Sequence, residues 1–461
     1  MRVLTRLSLL VLGALMMLTM RAEAAQAGLP PIYHVYIIVL ENESASTTFG
    51  PGSPAPYLSK TLRAEGAYLP NYYGICHESN DNYIAMVSGQ APNAENQADC
   101  QFYSDVAPGT IGAFGQVQGE GCIYPAGVPT IASQMDAARL AWRDYNDGMG
   151  ADPTRESSVC GHPALNSRDG TQTETAQDQY AARHNPFVYF HSIIDDTTLC
   201  DTHVVNLERL PQDLADPDAP NYTFITPDLC NDGHDAPCSN GGPGGLSQAD
   251  TFLRTWVPRI TGSPGYQRGG GLLIIAVDEA AASDTSACCG EIPGPGSPQP
   301  GINGPGGGDV GAVLLSPYIA PGTVSQVPYN HYSMLRSVED FFRLPHLGYA
   351  QLPGERSFGS DIFACAPQSI PIVVNGRLPA DSEIERVRVA HTGSRVRLTL
   401  YSVGNSTLRV VVRAAHQRTV ILRRTLVPCR AYTLRLPSGR GRRVTVGASA
   451  GGGAQTTTLR Y

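Results

Sequence analysis

The sequence predicts an α/β fold, a mostly parallel sheet sandwiched by helices, followed by a small C-terminal all-β sandwich domain. Two observations support this prediction. Between residues 30 and 350, runs that are apolar at nearly every position alternate with helix-like or irregular segments, as expected of strands buried on both faces. After Ala366, apolar and polar residues alternate in runs of five to eight, which is typical of antiparallel strands.

Five apolar runs are predicted to be buried strands, and turn-like or acidic residues follow most of them. They are "VYIIVL", "NPFVYF", "YTFITP", "GLLIIAV" and "GAVLLSPYI". Two stretches have helical spacing instead. "NYIAMVSG" is closed by Gly89, and "HYSMLRSVEDFF" carries an apolar face that we expect to pack in the core.

The chain divides into three parts of different composition. Residues 1–25 have the layout of a secretory signal peptide: two arginines, an apolar run too short for a membrane span, and small residues. We expect cleavage near Ala24 or Ala25 and export from the cytoplasm. Residues 30–360 form the predicted main domain, and residues 366–461 form the all-β domain.

The eleven cysteines are expected to form disulfides, because export places the chain in an oxidising compartment. Their odd number leaves at least one thiol without an intramolecular partner, and the pairing cannot be read from the sequence.

Charge is distributed unevenly along the chain. The region from Ala366 onward carries sixteen arginines and three acids, a net charge of +13, whereas the whole chain has a net charge of −8. We interpret the arginines as one exposed, solubilising face of the sheet. Attraction to anionic lipid or to a cell-surface polymer is the second interpretation, and no nucleic-acid partner is expected.

Acidic and amide side chains follow two of the predicted strands directly. Glu41 and Asn42 follow "VYIIVL", and Asp278 and Glu279 follow "GLLIIAV". Because the carboxyl ends of parallel strands meet at one edge of a sheet, these groups would repel one another unless a cation lay between them. Oxygen ligands of this kind suit Mg²⁺, Ca²⁺ or Mn²⁺. For either pair alone, a helix cap or a solvated loop is the simpler explanation.

Ser79 is the candidate nucleophile. It lies at or just before the start of the helix predicted over "NYIAMVSG", with His77 and Asn82 close by in the sequence. A serine there can simply cap the helix by accepting a backbone hydrogen bond. A helix N-terminus also stabilises an alkoxide or a phosphate, so cap and nucleophile stay open on the local sequence alone.

A resemblance to a known family favours the nucleophile role for Ser79 over the cap role. Seven segments in order, between about residues 33 and 348, resemble a bacterial phosphoesterase family that contains non-specific phospholipases C, secreted acid phosphatases and phosphatidylinositol phosphatases. They are "LENESASTTFG", "NYYGICHESNDNYIAMVSG", "AWRDYNDGM", "HNPFVYFHSI", "ITPDLCNDGHD", "IIAVDEA" and "HYSMLRSVEDFF". The resemblance implies an alkaline-phosphatase-superfamily fold, a bound divalent metal and a phosphoenzyme mechanism.

Carried over residue by residue, the resemblance also implies a site. Its metal ligands are Glu41, Asn42, Asp278 and Glu279, its nucleophile is Ser79, its further catalytic groups are His234 and His331, and its phosphate-binding groups are His77, Asn82 and His234.

The chain departs from the family pattern at two places. Glu78 and Asp81 stand where the family commonly has proline, which places two extra acids beside Ser79. A Gly/Pro-rich segment containing Cys288 and Cys289 replaces a DHVPPP-like motif that is common in the phospholipase C branch. This favours a phosphomonoesterase acting on small phosphate esters or phosphoinositides. The alternatives are a phospholipase C that cleaves phospholipid diesters, and a calcium-stabilised surface-binding protein without catalysis.

Overall fold

The computed structural model describes residues 29–216, 218–268 and 270–363, together with the backbone of seven strands between Arg386 and Arg460. The predicted signal peptide, Cys365 and Cys429 lie outside the described residues. Residues 32–362 form one compact unit, and the C-terminal strands belong to another. Within the described part, no helix has both the length and the apolar character needed to cross a bilayer.

The unit of residues 32–362 is built on an eight-stranded sheet with flanking helices, which confirms the predicted fold class. Its strands are β1 (His34–Leu40), β2 (Ala67–Leu69), β7 (Trp142–Asn146), β9 (Val204–Asn206), β10 (Tyr222–Thr226), β11 (Gly271–Val277), β12 (Ala312–Leu315) and β13 (Thr323–Val324). From one edge of the sheet to the other, their order is β13-β2-β12-β11-β1-β10-β7-β9.

Small strands lie outside this sheet in the same unit. They are β3 (Tyr72–Tyr73), β4 (Phe102–Tyr103), β5 (Ala107–Ile111), β6 (Val117–Glu120), β8 (Ser167–Arg168) and β14 (Tyr329–Asn330). The α-helices are α1 (Ala45–Phe49), α2 (Arg63–Glu65), α3 (Ser79–Ser88), α4 (Ile131–Ala138), α5 (His191–Ile194), α6 (Thr197–His203), α7 (Leu210–Ala215), α8 (Gly245–Gly262), α9 (Pro264–Arg268) and α10 (His331–Phe342).

The centre of the sheet is parallel. Strand β1 pairs in parallel with β11 on one side and with β10 on the other, and β7 and β9 continue in the same direction. The pairs of β12 with β11 and with β2 are antiparallel. Every residue of β10 and β11 is buried, as the continuous apolar runs predicted. The carboxyl ends of β11, β1 and β10 therefore lie side by side.

One predicted strand is wrong. "NPFVYF" contains a buried 3₁₀ turn over Pro186–Tyr189 instead of a strand. Pro186 occupies the first position of this turn, where its fixed φ is suited to a helical start and its missing N–H costs nothing. The predicted helices are present as α3, closed by Gly89 at φ +68°, and α10, which buries Met334, Leu335 and Val338.

Disulfides are confirmed among the described cysteines. The pairs are Cys100–Cys122, Cys160–Cys200, Cys230–Cys238 and the adjacent Cys288–Cys289, and the buried Cys76 is unpaired within the described residues.

The C-terminal strands form two antiparallel sheets. The strands are β15 (Arg386–Thr392), β16 (Arg395–Tyr401), β17 (Ser406–Ala414), β18 (Gln417–Leu426), β19 (Ala431–Leu436), β20 (Arg443–Ala450) and β21 (Gly453–Arg460). One sheet has the order β15-β16-β19 and the other β18-β17-β20-β21. The all-strand character agrees with the predicted alternation, and the sandwich packing stays a prediction.

A buried acid in β7 makes the stability of the main unit depend on pH. Burial raises the pKa of Asp144 to about 8, although Asn146 donates a hydrogen bond to its Oδ2 at 2.7 Å. The unfolded chain holds this proton only below about pH 4. Between about pH 4 and 8 the folded state therefore binds more protons, and the free energy of unfolding falls as pH rises, by up to about 1.4 kcal/mol per pH unit.

We expect Asp144→Asn to remove this component. The variant should equal the wild type in stability at pH 4 and exceed it at pH 8. Urea unfolding followed by the fluorescence of Trp142 and Trp256, the two tryptophans of the chain, measures the difference. Parallel pH profiles for the two proteins would contradict the prediction.

Candidate active site

Three buried carboxyl groups converge where the central parallel strands end. Glu41 follows β1 and Asp278 follows β11, while Asp232 lies in the loop after β10; all three are 0% exposed. Backbone hydrogen bonds hold them together, because Glu41 N donates to Asp232 O at 3.0 Å and Asp278 N donates to Leu40 O at 2.9 Å. The sheet register thus brings together side chains that are far apart in the sequence.

A histidine completes one side of this cluster. His184 is 1% exposed and lies in a 3₁₀ turn (Ala182–His184). Its Nε2 is 3.4 Å from Glu41 Oε1, and its Nδ1 is 3.5 Å from Asp232 Oδ2. One ligand atom from each of the three side chains lies within 4.8 Å of the others. This spacing suits a metal ion coordinated by two carboxylates and an imidazole.

Asp278 lies on the other side of Glu41. Its Oδ1 accepts hydrogen bonds from Asn42 N at 3.0 Å and from Glu279 N at 2.6 Å. Asn42 reaches this geometry with φ +58°, a left-handed conformation that asparagine tolerates better than most residues. Asn42 and Glu279 therefore fix the Asp278 carboxylate through their backbone N–H groups.

Four atoms in this cluster are buried without a hydrogen-bond partner among the described residues. They are Glu41 Oε1, Asp232 Oδ2, Asp278 Oδ2 and His184 Nε2. Leaving a buried polar atom unpaired costs about 1–3 kcal/mol, so four of them in one place need an explanation. A cation bound between Glu41, Asp232 and His184 would satisfy three of them, and this donor set fits a divalent metal; Asp278 lies beside this closely spaced group and is not part of it.

Burial also shifts the pKa values of the side chains in this cluster. Burial, together with the charges of Asp278 and Asp232, raises the pKa of Glu41 well above its usual value. Burial also raises the pKa of Asp232 and of Asp278, and it lowers the pKa of His184 well below its usual value. The neutral imidazole is the form that binds metals.

One buried cation lies nearby. Arg183 is 5% exposed, its Nε is 3.5 Å from Asp99 Oδ2, and its charge acts on Glu41 and Asp232. A single guanidinium that already pairs with Asp99 does not neutralise three carboxylates.

Ser79 lies directly beside this cluster. It is the first residue of α3, is 3% exposed, and its Oγ donates a hydrogen bond to Glu41 Oε2 at 2.7 Å. Glu78 occupies the cap position of the helix with φ +76°, and no side chain caps the helix there. The Ser79 hydroxyl therefore faces the acidic cluster and does not cap α3. A strained residue immediately before such a hydroxyl is a feature often found at functional sites.

His77 and Glu279 form a separate pair next to this site. Glu279 Oε2 is 2.5 Å from His77 Nδ1 and also accepts a hydrogen bond from Glu78 N at 3.2 Å. His77 Nε2 is 3.0 Å from the carbonyl of Asp284. Both ring nitrogens of His77 have partners within the chain, so the structure places His77 and Glu279 as supports of the loop that carries Ser79.

Asn82 also holds this loop. Its Oδ1 accepts hydrogen bonds from Ile75 N and Cys76 N at 2.8 and 3.2 Å, and its Nδ2 donates to the carbonyls of Cys76 and Glu78, each at 3.0 Å. The amide group, which the family resemblance assigns to phosphate binding, is thus engaged with the backbone that precedes Ser79.

His331 supports the end of β11. It is fully buried at the start of α10, its Nε2 is 2.6 Å from the carbonyl of Asp278, and its Nδ1 is 3.1 Å from the Tyr72 hydroxyl. Burial lowers its pKa to about 4, so it is neutral above that pH. The structure places His331 behind Asp278 and does not bring it to Ser79.

His234 lies at the open side of the site. Its side chain is 33% exposed, and its Nδ1 is 2.7 Å from Asp235 Oδ1. Its backbone N–H donates to Asp232 Oδ1 at 2.8 Å, and its ring centroid is 6.4 Å from that of His184. The bond to Asp235 leaves Nε2 as the nitrogen available to a substrate.

The sequence-based site omits three residues that the structure brings into contact with it: His184, Asp232 and Tyr83. Asp232 belongs to the Asp-rich segment after a buried strand, and His184 begins the quoted segment "HNPFVYFHSI". A histidine before Asn-Pro gives no local indication of its partners. The ring of Tyr83 lies parallel to that of His184, with centroids 5.2 Å apart.

Comparison with known proteins identifies the family. The model of the Phosphoesterase family matches residues 52–345, which is more than half of the chain. The chain belongs to this family. The phosphoesterase match begins after Glu41 and Asn42 and includes Ser79, His184, Asp232, Asp278 and His331.

Curated relatives are similar at low identity. An acid phosphatase from Aspergillus fumigatus is 25% identical over 292 residues, which cover 63% of this chain and 51% of that protein. A phosphate-repressible acid phosphatase from Penicillium chrysogenum is 27% identical, covering 68% of this chain and 59% of that protein. The phosphoesterase chain thus spans about half to three fifths of the length of these fungal relatives.

Two further proteins are matched over most of their own length. A phosphatidylinositol-3-phosphatase from Mycobacterium tuberculosis is 23% identical over 326 residues, 71% of this chain and 82% of that protein. A solved structure of a protein in the alkaline phosphatase superfamily from Vibrio parahaemolyticus matches with a TM-score of 0.40 and 10% identity, covering 94% of this chain and 82% of that one.

The contacts of Asn82 predict a structural effect. We expect Asn82→Ala to lower the free energy of unfolding by about 2–4 kcal/mol, because it leaves buried backbone groups of residues 75–78 unpaired. Urea unfolding at neutral pH measures this change. Asn240→Ala is the control: this exposed asparagine also accepts one backbone hydrogen bond, and its loss should cost at most about 0.5 kcal/mol. A normally stable Asn82→Ala protein with only a raised KM would instead indicate direct phosphate contact.

Proposed function

We propose that this phosphoesterase is a secreted, metal-dependent phosphomonoesterase that works through a phosphoserine on Ser79. One observation carries the proposal. A hydroxyl at a helix N-terminus donates a 2.7 Å hydrogen bond to a buried carboxylate, whose other oxygen belongs to a cluster of unpaired buried ligand atoms. Membership of the family and the names of the acid phosphatase and phosphatidylinositol-3-phosphatase relatives support the same class of reaction.

Glu41, His184 and Asp232 would hold the metal ion, and Asp278 would lie beside it. Each of the four offers a buried atom without a partner among the described residues, and the first three offer atoms within 4.8 Å of one another. When bound, a divalent cation lowers the pKa of a nearby hydroxyl and stabilises negative charge on phosphoryl oxygens. The sequence suggested Ca²⁺, Mg²⁺ or Mn²⁺ from oxygen ligands alone. An imidazole in the set favours Mn²⁺ or Zn²⁺ over Ca²⁺ and Mg²⁺.

Ser79 performs the first chemical step. Its hydroxyl proton passes to Glu41 Oε2, the oxygen that it already contacts, as Oγ forms a bond to phosphorus. The bond from phosphorus to the ester oxygen breaks, and the positive end of α3 stabilises the charge on the phosphoryl group.

His234 is suited to protonate the departing alcohol. It is the histidine of the site with an exposed side chain, and Asp235 fixes its ring through Nδ1. Nε2 can then give a proton to the leaving oxygen and later take one from the water that attacks the phosphoserine phosphorus. The bond from phosphorus to Ser79 Oγ breaks in that step, and Glu41 returns its proton to Oγ. The products are an alcohol and inorganic phosphate.

Secretion and substrate class rest on different observations. The N-terminal pattern and the disulfides of the main unit favour an exported protein. The substrate is proposed to be a small phosphate monoester or a phosphoinositide, as the relatives' names suggest. Hydrolysis of p-nitrophenyl phosphate, with none of phosphatidylcholine, would separate this proposal from a phospholipase C.

We expect Ser79→Ala to lower kcat for p-nitrophenyl phosphate by at least about 1,000-fold, because the nucleophile is lost. Ser88→Ala is the matched control, since Ser88 ends the same helix and, among the described residues, its hydroxyl bonds the carbonyl of Ile84 and the N–H of Gln90 and no other group. It should keep kcat within about threefold because it lies outside the proposed chemistry. Turnover by a folded Ser79→Ala protein at the wild-type rate would exclude the phosphoserine mechanism.

Metal removal should abolish activity reversibly. After dialysis against EDTA the protein should lose phosphatase turnover, and Mn²⁺ or Zn²⁺ should restore it. We expect Asp232→Asn to need at least about tenfold more metal for half-maximal recovery, because one charged ligand is replaced by a neutral one. Asp201→Asn, at an exposed position in α6, should recover like the wild type. Full activity in EDTA would overturn the metal requirement.

A further inference from the structure

We propose that Tyr83 is a positioning residue that holds the His184 imidazole in its metal-binding orientation by ring stacking. The inference rests on the proposed metal site, and it concerns a side chain that takes no part in the chemistry described above. The two rings have centroids 5.2 Å apart and an angle of 6° between their planes.

The His184 ring needs such support. Metal-binding histidines normally have their orientation fixed by a hydrogen bond from the second ring nitrogen. In this structure Nε2 and Nδ1 lie 3.4 and 3.5 Å from Glu41 and Asp232, distances longer than those of well-formed hydrogen bonds. Since both carboxylates belong to the proposed metal site, neither is an independent anchor. The face of the imidazole is therefore the surface through which the chain can hold the ring.

Tyr83 is well placed for this role. It lies four residues after Ser79 on α3, so both side chains project from the same face of the helix. It is 0% exposed, and the ring of Phe224 in β10 packs edge-on against it with centroids 6.2 Å apart. Helix α3 thus carries both the proposed nucleophile, Ser79, and the side chain that supports a proposed metal ligand, Tyr83. Both are therefore fixed relative to the same strand ends.

The hydroxyl of Tyr83 is also buried in the site. It has no well-formed hydrogen bond within the described residues, and the charges of Glu41, Asp278 and Asp232 act on it. The ring and the hydroxyl therefore make separable contributions: the ring packs on His184, and the hydroxyl lies near Glu41. The proposal assigns the positioning role to the ring.

Metal affinity, measured by titrating the EDTA-treated protein with Mn²⁺ and with Zn²⁺ in a calorimeter, tests the assignment without relying on turnover. Tyr83→Leu should bind the metal about 10–100-fold more weakly, the range typical of lost support for a metal ligand. Tyr83→Phe keeps the ring and should bind within about threefold of the wild type, below the smallest effect typical of such a loss.

Tyr103→Leu is the matched control. Tyr103 is equally buried and stacks on another histidine, His162, with centroids 5.5 Å apart and 25° between the planes. If any loss of a buried Tyr–His stack loosened the protein enough to weaken metal binding, this variant would show it. The proposal expects its metal affinity to be unchanged. Where Tyr83→Leu folds poorly in the urea assay, Tyr83→Met replaces it, because methionine fills the volume without a flat ring.

The outcomes are distinct. Weak binding by Tyr83→Leu or Tyr83→Met, with near-normal binding by Tyr83→Phe and Tyr103→Leu, supports the positioning role. Normal affinity in the Leu and Met variants overturns it. So does an equal loss in Tyr83→Phe, which would assign the effect to the hydroxyl, or in Tyr103→Leu, which would assign it to a general loosening of the protein. Failure of the wild-type protein to bind either metal would instead refute the proposed metal site itself.

Discussion

The structure depends on an electrostatic constraint at the ends of three parallel strands. Strands β11, β1 and β10 bring Asp278, Glu41 and the loop with Asp232 to one buried place, where backbone hydrogen bonds join Glu41 to Asp232 and Asp278 to Leu40. Carboxylates in such a place repel each other and lose hydration. The described part of the chain supplies one nearby buried cation, Arg183, which already pairs with Asp99. The cluster formed by Glu41, Asp232 and His184 is therefore a possible metal site.

The residues around the cluster form two kinds of support. One kind fixes the carboxylates: the N–H groups of Asn42 and Glu279 bind Asp278, and His331 holds the Asp278 carbonyl. The other kind fixes the loop before Ser79, through Asn82 and the pair of His77 with Glu279. A reacting hydroxyl must be held within a fraction of an ångström to be effective, and these groups would supply that rigidity to Ser79 in its proposed role.

Several residues make contacts that differ from those implied by the family resemblance. His77, Asn82 and His331 have their polar atoms engaged within the chain, whereas His184 and Asp232 present unpaired atoms to the cluster. The contact roles of the first three stay predictions from resemblance. The geometry supports a metal site of mixed oxygen and nitrogen ligands centred on Glu41, with Ser79 on its other carboxylate oxygen.

The sequence by itself determined the fold class, the strands β1, β10, β11 and β12, the helices α3 and α10, and the positions of Glu41, Ser79 and Asp278 at element ends. Those features follow from local rules, because buried strands are continuously apolar and a polar residue at their end is conspicuous. The strand prediction for "NPFVYF" is wrong because its apolar composition suits a buried turn as well as a strand, and Pro186 at the first position favours the turn. Only the tertiary structure decided which side chains meet. Strand order and register bring His184 and Asp232 to Glu41 and place His331 against the Asp278 carbonyl, and these are long-range contacts that no local pattern encodes.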